Sequence, residues 1–119
     1  MSTIGRKQSN TRMSQVVIHQ GVVYLSGQVF PEFLAGSPSI EEQTQGVLAR
    51  IDELLLEAGT SKSKLLTAQI WLGDVAEFDR MNAIWESWID PANPPARATC
   101  GVTLGHPNVR VEITVTAAV

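Results

Sequence analysis

An α+β domain in the order β-β-α-β-α-β-β, with two helices packed on one face of a sheet, is the fold this sequence predicts. Three observations predict it. Ala96 to Val102 and Val109 to Val115 alternate apolar and polar residues at period two, the pattern of strands with one buried face. Ile40 to Ala58 carries apolar residues at helical spacing behind a capping signal. Leu65 to Leu72 is apolar at both parities, which suits a strand covered on each face. At 119 residues, the chain suits one compact domain over 1–119.

Residues 1–12 are polar, with Arg6, Lys7 and Arg12, and are expected to form a loosely held arm. Val16 to His19 and Val22 to Gln28 flank Gln20-Gly21, where Gly21 supplies the positive φ of a two-residue hairpin turn. His19 beside that turn reads as a surface residue. Gly27 interrupts the second strand, as a glycine does at a bulge or where another group approaches closely. The loop from Phe30 to Ser37 has an apolar tip, Phe33 and Leu34, expected to pack on a neighbour.

Ser39 and Glu42 form a capping box, from which Ile40, Val47, Leu48, Ile51, Leu54 and Leu55 mark one helix face. Gly59 fits its C-terminal stop. The acidic residues Glu41, Glu42, Asp52, Glu53 and Glu57 read as a solvated face rather than as catalytic pairs. Asp74 is expected to cap a second helix with Glu77 as its box partner, and Phe78, Met81, Trp85 and Trp88 read as that helix's core stripe. Asp90 to Pro95 cannot continue the helix.

The last two strands are expected to join as a hairpin through Leu104 to Asn108, in which His106 is exposed. Taking Ala96, Ala98, Cys100 and Val102 as inward leaves Arg97, Thr99, Gly101 and Thr103 on the other face. In the final strand Val109, Val111, Ile113 and Val115 go inward, leaving Arg110, Glu112 and Thr114 opposite. Arg97 and Glu112 on that mixed face are either a surface ion pair or a functional pair. Such a face is expected to meet other subunits.

The formal net charge is −3 and no run of Lys or Arg exists, so neither nucleic acid nor an anionic membrane is an expected partner. One cysteine excludes an intramolecular disulfide and Cys-rich zinc sites, and the two histidines lack partners at ligand spacing, so no metal is expected. The polar start lacks a signal-peptide core and no apolar run reaches the length of a bilayer span, so a cytoplasmic location is expected.

An ordered set of segments resembles the RidA/YjgF family of imine/enamine deaminases. It comprises Gly21-Val-Val-Tyr-Leu-Ser-Gly-Gln28, Gln43-Thr44, Leu56-Glu-Ala-Gly59, Phe78-x-x-x-Asn82-x-x-Trp85, Pro95-Ala96-Arg97 and Val111-Glu112-Ile113, spanning Ser14 to Ala117. The resemblance implies a fold like trimeric chorismate mutase: a homotrimer with a barrel-like core and clefts between subunits. It implies hydrolysis of 2-aminoacrylate-type enamines and imines, such as pyridoxal-phosphate dehydratases release, to 2-keto acids and ammonia. No cofactor is implied.

By the same resemblance Arg97 binds the substrate carboxylate and Glu112 orients the attacking water. Backbone amides at Gly27 and Thr99 assist, and Ser26, Phe78 and Asn82 complete the substrate-binding set. In a simple hairpin Glu112 pairs near Gly101, about four residues of about 3.3 Å from Arg97, beyond side-chain contact. The strands bend, the residues meet across an interface, or a water bridges them. The sequence departs from the family at Met13, where active members commonly carry Tyr, at Thr99 and Cys100, where a Cys two residues after the arginine is frequent, and at Thr114. Met13 favours an alternative function, a non-catalytic trimer that binds small 2-keto acids.

Overall fold

The computed structural model describes residues 3–119. Six strands form one sheet: β1 (Gly5–Ser9), β2 (Ser14–His19), β3 (Val22–Leu25), β4 (Leu65–Leu72), β5 (Ala96–Gly101) and β6 (Val111–Ala118). Two helices, α1 (Ile40–Glu57) and α2 (Phe78–Trp88), cover one face. The spatial order is β1-β2-β3-β6-β4-β5, antiparallel except for the β4–β5 pair.

Local chemistry explains the first half. Gln20 (φ 51°) and Gly21 (φ 78°) both take left-handed conformations, the requirement of a tight turn that matches strand twist. The β2–β3 register then puts Val16 opposite Leu25 and Ile18 opposite Val23, facing the helices. The Ser39 hydroxyl accepts from the Glu42 amide at 3.1 Å, and the Glu42 carboxylate accepts from the Ser39 amide at 3.3 Å. Gly59 (φ 82°) ends α1. Ile40, Val47, Ile51 and Leu54 on α1 are fully buried against Ile70, Leu72, Val111 and Ile113 of the sheet.

The expected arm over residues 1–12 is corrected: Gly5–Ser9 is an edge strand paired with β2. Its side chains are exposed and show no alternation, because backbone hydrogen bonds to β2 rather than side-chain burial hold it. Gln8 ties it to α1 by donating to Glu57 and accepting from Arg50. Met1 and Ser2, the start of that arm, lie outside the described residues.

The expected β5–β6 hairpin does not form. After α2 the chain enters β5 parallel to β4, then crosses back so that β6 inserts between β3 and β4. Interior β4 thus satisfies both its backbone edges, with a bulge between Leu65 and Thr67 that leaves Leu66 exposed. Asp74 does not open α2 with Glu77 as its box partner. It caps a short 3-10 turn, Val75–Glu77, by accepting from the Ala76 amide, and Glu77 is buried against Arg110. His106 is half-buried rather than exposed: its ring tilts on Phe33 and its Nδ1 accepts from the Asn108 amide. Among the described residues no helix is long and apolar enough to cross a membrane, and no group of three His, Cys, Asp or Glu could hold a metal ion.

Candidate functional site

The β4–β5 register sets Arg97 beside Ala68 and Thr99 beside Ile70, so both project toward the helices. This reverses the expected facing: Ala96, Ala98 and Cys100 lie on the open face and are exposed. The reason is α2, which presents one acceptor and two aromatic rings to Arg97. The Arg97 Nη1 donates to Asn82 Oδ1 at 2.7 Å. Its guanidinium carbon lies 5.3 Å from the Trp85 ring centre and 6.0 Å from that of Phe78. Phe78, Asn82 and Trp85 are spaced i, i+4 and i+7, one helical stripe. On an edge strand, the long arginine stem can pack under the helix while the charged head reaches the rim.

Arg97, Asn82 and Phe78 are therefore brought together. Trp85 joins them, although its spacing alone reads as core; the stripe it shares with Asn82 was the available signal. No carboxylate among the described residues forms an ion pair with Arg97. Thr99, two residues along the same face, has a buried hydroxyl with no hydrogen-bond partner.

Glu112 lies on the opposite, open face, aligned with Trp71 of β4. Its carboxylate approaches Gly27 so closely that a Cβ there would lie 2.1 Å from Oε2. Gln28 fixes that approach: its amide donates to the Ile113 carbonyl at 2.8 Å, and its carbonyl accepts from the Ile113 amide at 3.1 Å. The buried Gln28 side chain also donates to Gln15 Oε1 and to Ser26, whose own hydroxyl donates to Gln15. A depression of about 220 Å³ beside Glu112 is lined by Trp71, Val102, Thr103, Leu104 and Gly105. A broader one, about 400 Å³, runs along the open face between β5 and β6 past Thr67, Gln69, Thr114 and Thr116.

Arg97 and Glu112 are thus not brought together within one chain. They sit on opposite faces, with β4 between their strands and three residues of offset along it, since Arg97 aligns with Ala68 and Glu112 with Trp71. That offset amounts to about 10 Å along the strands and about 10 Å across them. A single water cannot span it. Gly27 accordingly belongs with Glu112, while Thr99 stays with Arg97.

The profile of the family described as Endoribonuclease L-PSP matches residues 3–119. The chain is 43% identical over 115 residues to a RutC family protein of Haemophilus influenzae, covering 97% of each. It is 35% identical over 105 residues to Reactive Intermediate Deaminase A, chloroplastic, of Arabidopsis thaliana, covering 84% of this chain and 54% of that one. The crystal structure of a member of the YjgF protein family from Neisseria meningitidis superposes with a TM-score of 0.91 at 37% identity, covering 98% of this chain and 94% of that one. Sequence and fold agree over nearly the whole length, and the chain belongs to the RidA/YjgF family.

Proposed function

We propose that this protein hydrolyses reactive 2-aminoacrylate-type enamines and their imine tautomers to 2-keto acids and ammonia, without a cofactor, at sites completed between the subunits of a homotrimer. One observation carries the reading: Arg97 is a half-buried cation, fixed by Asn82 beside Trp85, with no ion-paired carboxylate among the described residues. Partial desolvation of a charge favours an opposite charge beside it. A planar carboxylate matches the guanidinium fork in both geometry and sign. Membership of a family with a relative named Reactive Intermediate Deaminase A supports the same substrate class.

In this reading Arg97 of one subunit grips the substrate carboxylate, and Glu112 of a neighbour faces the imine carbon. An enamine first takes a proton at C3 to give the imine. Glu112 removes a proton from water as the water oxygen bonds to C2, and the C=N electron pair goes to nitrogen, which is protonated. The carbinolamine then loses ammonia as its hydroxyl proton departs and C2=O forms. One imine and one water yield one keto acid and one ammonia. The imine is already electrophilic, so positioning and one general base suffice. The separation of Arg97 and Glu112 within a chain favours a second copy against the open face, and a closed cyclic assembly provides it.

A second reading, a non-catalytic trimer that holds small 2-keto acids, is favoured by Met13. Its thioether cannot donate a hydrogen bond, and the side chain is exposed in the turn that Asn10 organises. A ribonuclease role, which the family's description evokes, has little support in a chain of net charge −3. Tight, saturable RNA binding at low salt would reverse that judgement.

The deciding assay couples a serine dehydratase, supplied with serine, to pyruvate detection. The protein should accelerate pyruvate release over buffer, and Arg97→Ala should remove the acceleration. No acceleration by the wild type, with pyruvate binding seen by calorimetry, selects the second reading.

A further inference from the structure

We infer that Trp85 is a positioning residue for Arg97, setting the guanidinium for a carboxylate ligand rather than serving only as core. The inference rests on the carboxylate-binding reading of Arg97, and it concerns a residue that does not itself touch the substrate. Trp85 is buried and tilts on Trp88 with ring centres 5.4 Å apart, which is what a core residue does. Its other neighbour is not what a core residue needs. The Arg97 guanidinium carbon is 5.3 Å from its ring centre, within the range in which an aromatic quadrupole attracts a cation.

Three physical consequences follow from that neighbour. Asn82 engages only Nη1, so by itself it leaves the fork free to rotate about that bond; the ring removes much of this freedom. The indole also excludes water from one side of the cation, which strengthens the attraction of an anion arriving at the remaining N–H groups. The ring offers no hydrogen-bond acceptor toward the cation, so those donors stay available for a ligand. A carboxylate at the same place would quench the site; Glu41 does this to Arg80, taking both Nε and Nη2.

The test measures pyruvate binding by calorimetry and imine turnover for wild type, Trp85→Leu and Trp85→Phe, each with its melting temperature. Trp85→Leu should weaken pyruvate binding about tenfold and raise KM to a similar extent while kcat stays within about twofold, because carboxylate binding is shared by ground and transition states. Trp85→Phe keeps a ring and should recover most of the affinity. A purely core role would lower the melting temperature and leave the affinity of the folded protein unchanged. Binding by Trp85→Leu equal to wild type overturns the inference, as does equal loss in both variants at unequal melting temperatures. If Trp85→Leu does not fold, Trp85→Phe together with Trp85→Met decides, since Met fills the site without a ring. A wild type that binds pyruvate in a Trp85-dependent way but turns over no imine removes the deaminase reading and leaves this inference standing.

Discussion

The two halves of the proposed site are held in different ways. Arg97, under α2, is held by contacts within its own chain: one hydrogen bond donated to Asn82, two flanking rings and a strand register that points it at the helix. Glu112, on the open face, has no ion-pair partner among the described residues, and its place is set by the absence of a side chain at Gly27. A cation built in advance can bind an anion in any assembly state. A carboxylate on an uncovered sheet face needs something opposite it before it can act on a bound substrate. In the proposed reading, binding belongs to the half built within one subunit and chemistry to the half completed by a neighbour.

Subunit complementation tests that division most severely. Glu112→Gln should lower kcat about 10²- to 10³-fold, the range of a lost general base, with KM within a few-fold of wild type because Arg97 is untouched. Arg97→Ala should instead act mainly through KM. If each site joins Arg97 of one subunit to Glu112 of the next, co-refolding the two variants in equal amounts creates intact sites at about one quarter of the interfaces. Recovery of about a quarter of wild-type turnover supports the shared site; a mixture no more active than either variant alone removes it.

A smaller effect separates the halves sterically. Gly27→Ala would place its Cβ 2.1 Å from Glu112 Oε2, and the carboxylate, at the end of a flexible side chain, can swing away. Turnover should fall about tenfold, as expected for a displaced catalytic group, while the melting temperature and pyruvate affinity at Arg97 hold. Gly46→Ala makes the contrast. There the new Cβ would meet the partly buried Phe30 ring, packed against the core, at 2.2 Å, so stability should fall by about 1–3 kcal/mol with kinetics of the folded fraction unchanged. Unchanged turnover in Gly27→Ala would mean that the position of Glu112 does not matter.

How far the sequence carried this picture depends on how local the determinants are. The Gln20-Gly21 turn, the Ser39–Glu42 box and the Gly59 stop act over a few residues, and each forms as its residue types require. β5 and β6 are different. Leu104 to Asn108 has the composition of a hairpin turn, yet β6 finds more buried apolar contact between β3 and β4, a choice made by residues far apart in the chain. The facing of Arg97 failed for a related reason. Period two fixes that Arg97 and Thr99 share a side, but not which side; Ala and Cys looked like core until α2 supplied Asn82 and two rings for the arginine. Glu77 likewise read as a cap partner because its charge complement, Arg110, is 33 residues away. The surface ion pair that pattern alone left open between Arg97 and Glu112 does not form, because the two residues lie on opposite faces of the sheet.

The smallest expected effect concerns Arg80, a second arginine at α2, which shows what Arg97 would be with a carboxylate of its own. Arg80 donates from Nε at 2.8 Å and Nη2 at 2.7 Å to Glu41, joining α2 to the first turn of α1. That hydrogen bonding, helped by the Glu41 backbone amide, lowers the Glu41 carboxyl from 4.5 to about 2. A carboxyl whose pKa is lower folded than unfolded contributes stability that is complete above the unfolded value. The contribution fades as pH falls from about 4.5 toward 2. Both side chains are well exposed, so water and salt screen the pair and the slope in that window should be shallow. Arg80→Leu should return the Glu41 midpoint toward 4.5 in an NMR titration, flatten the acid limb of stability between those pH values, and leave imine turnover at neutral pH unchanged. A Glu41 midpoint that stays near 2 without Arg80 would locate the perturbation in the helix terminus instead. A loss of turnover would show that the two arginines are not independent, and that the cation lacking a carboxylate depends on the one that has it.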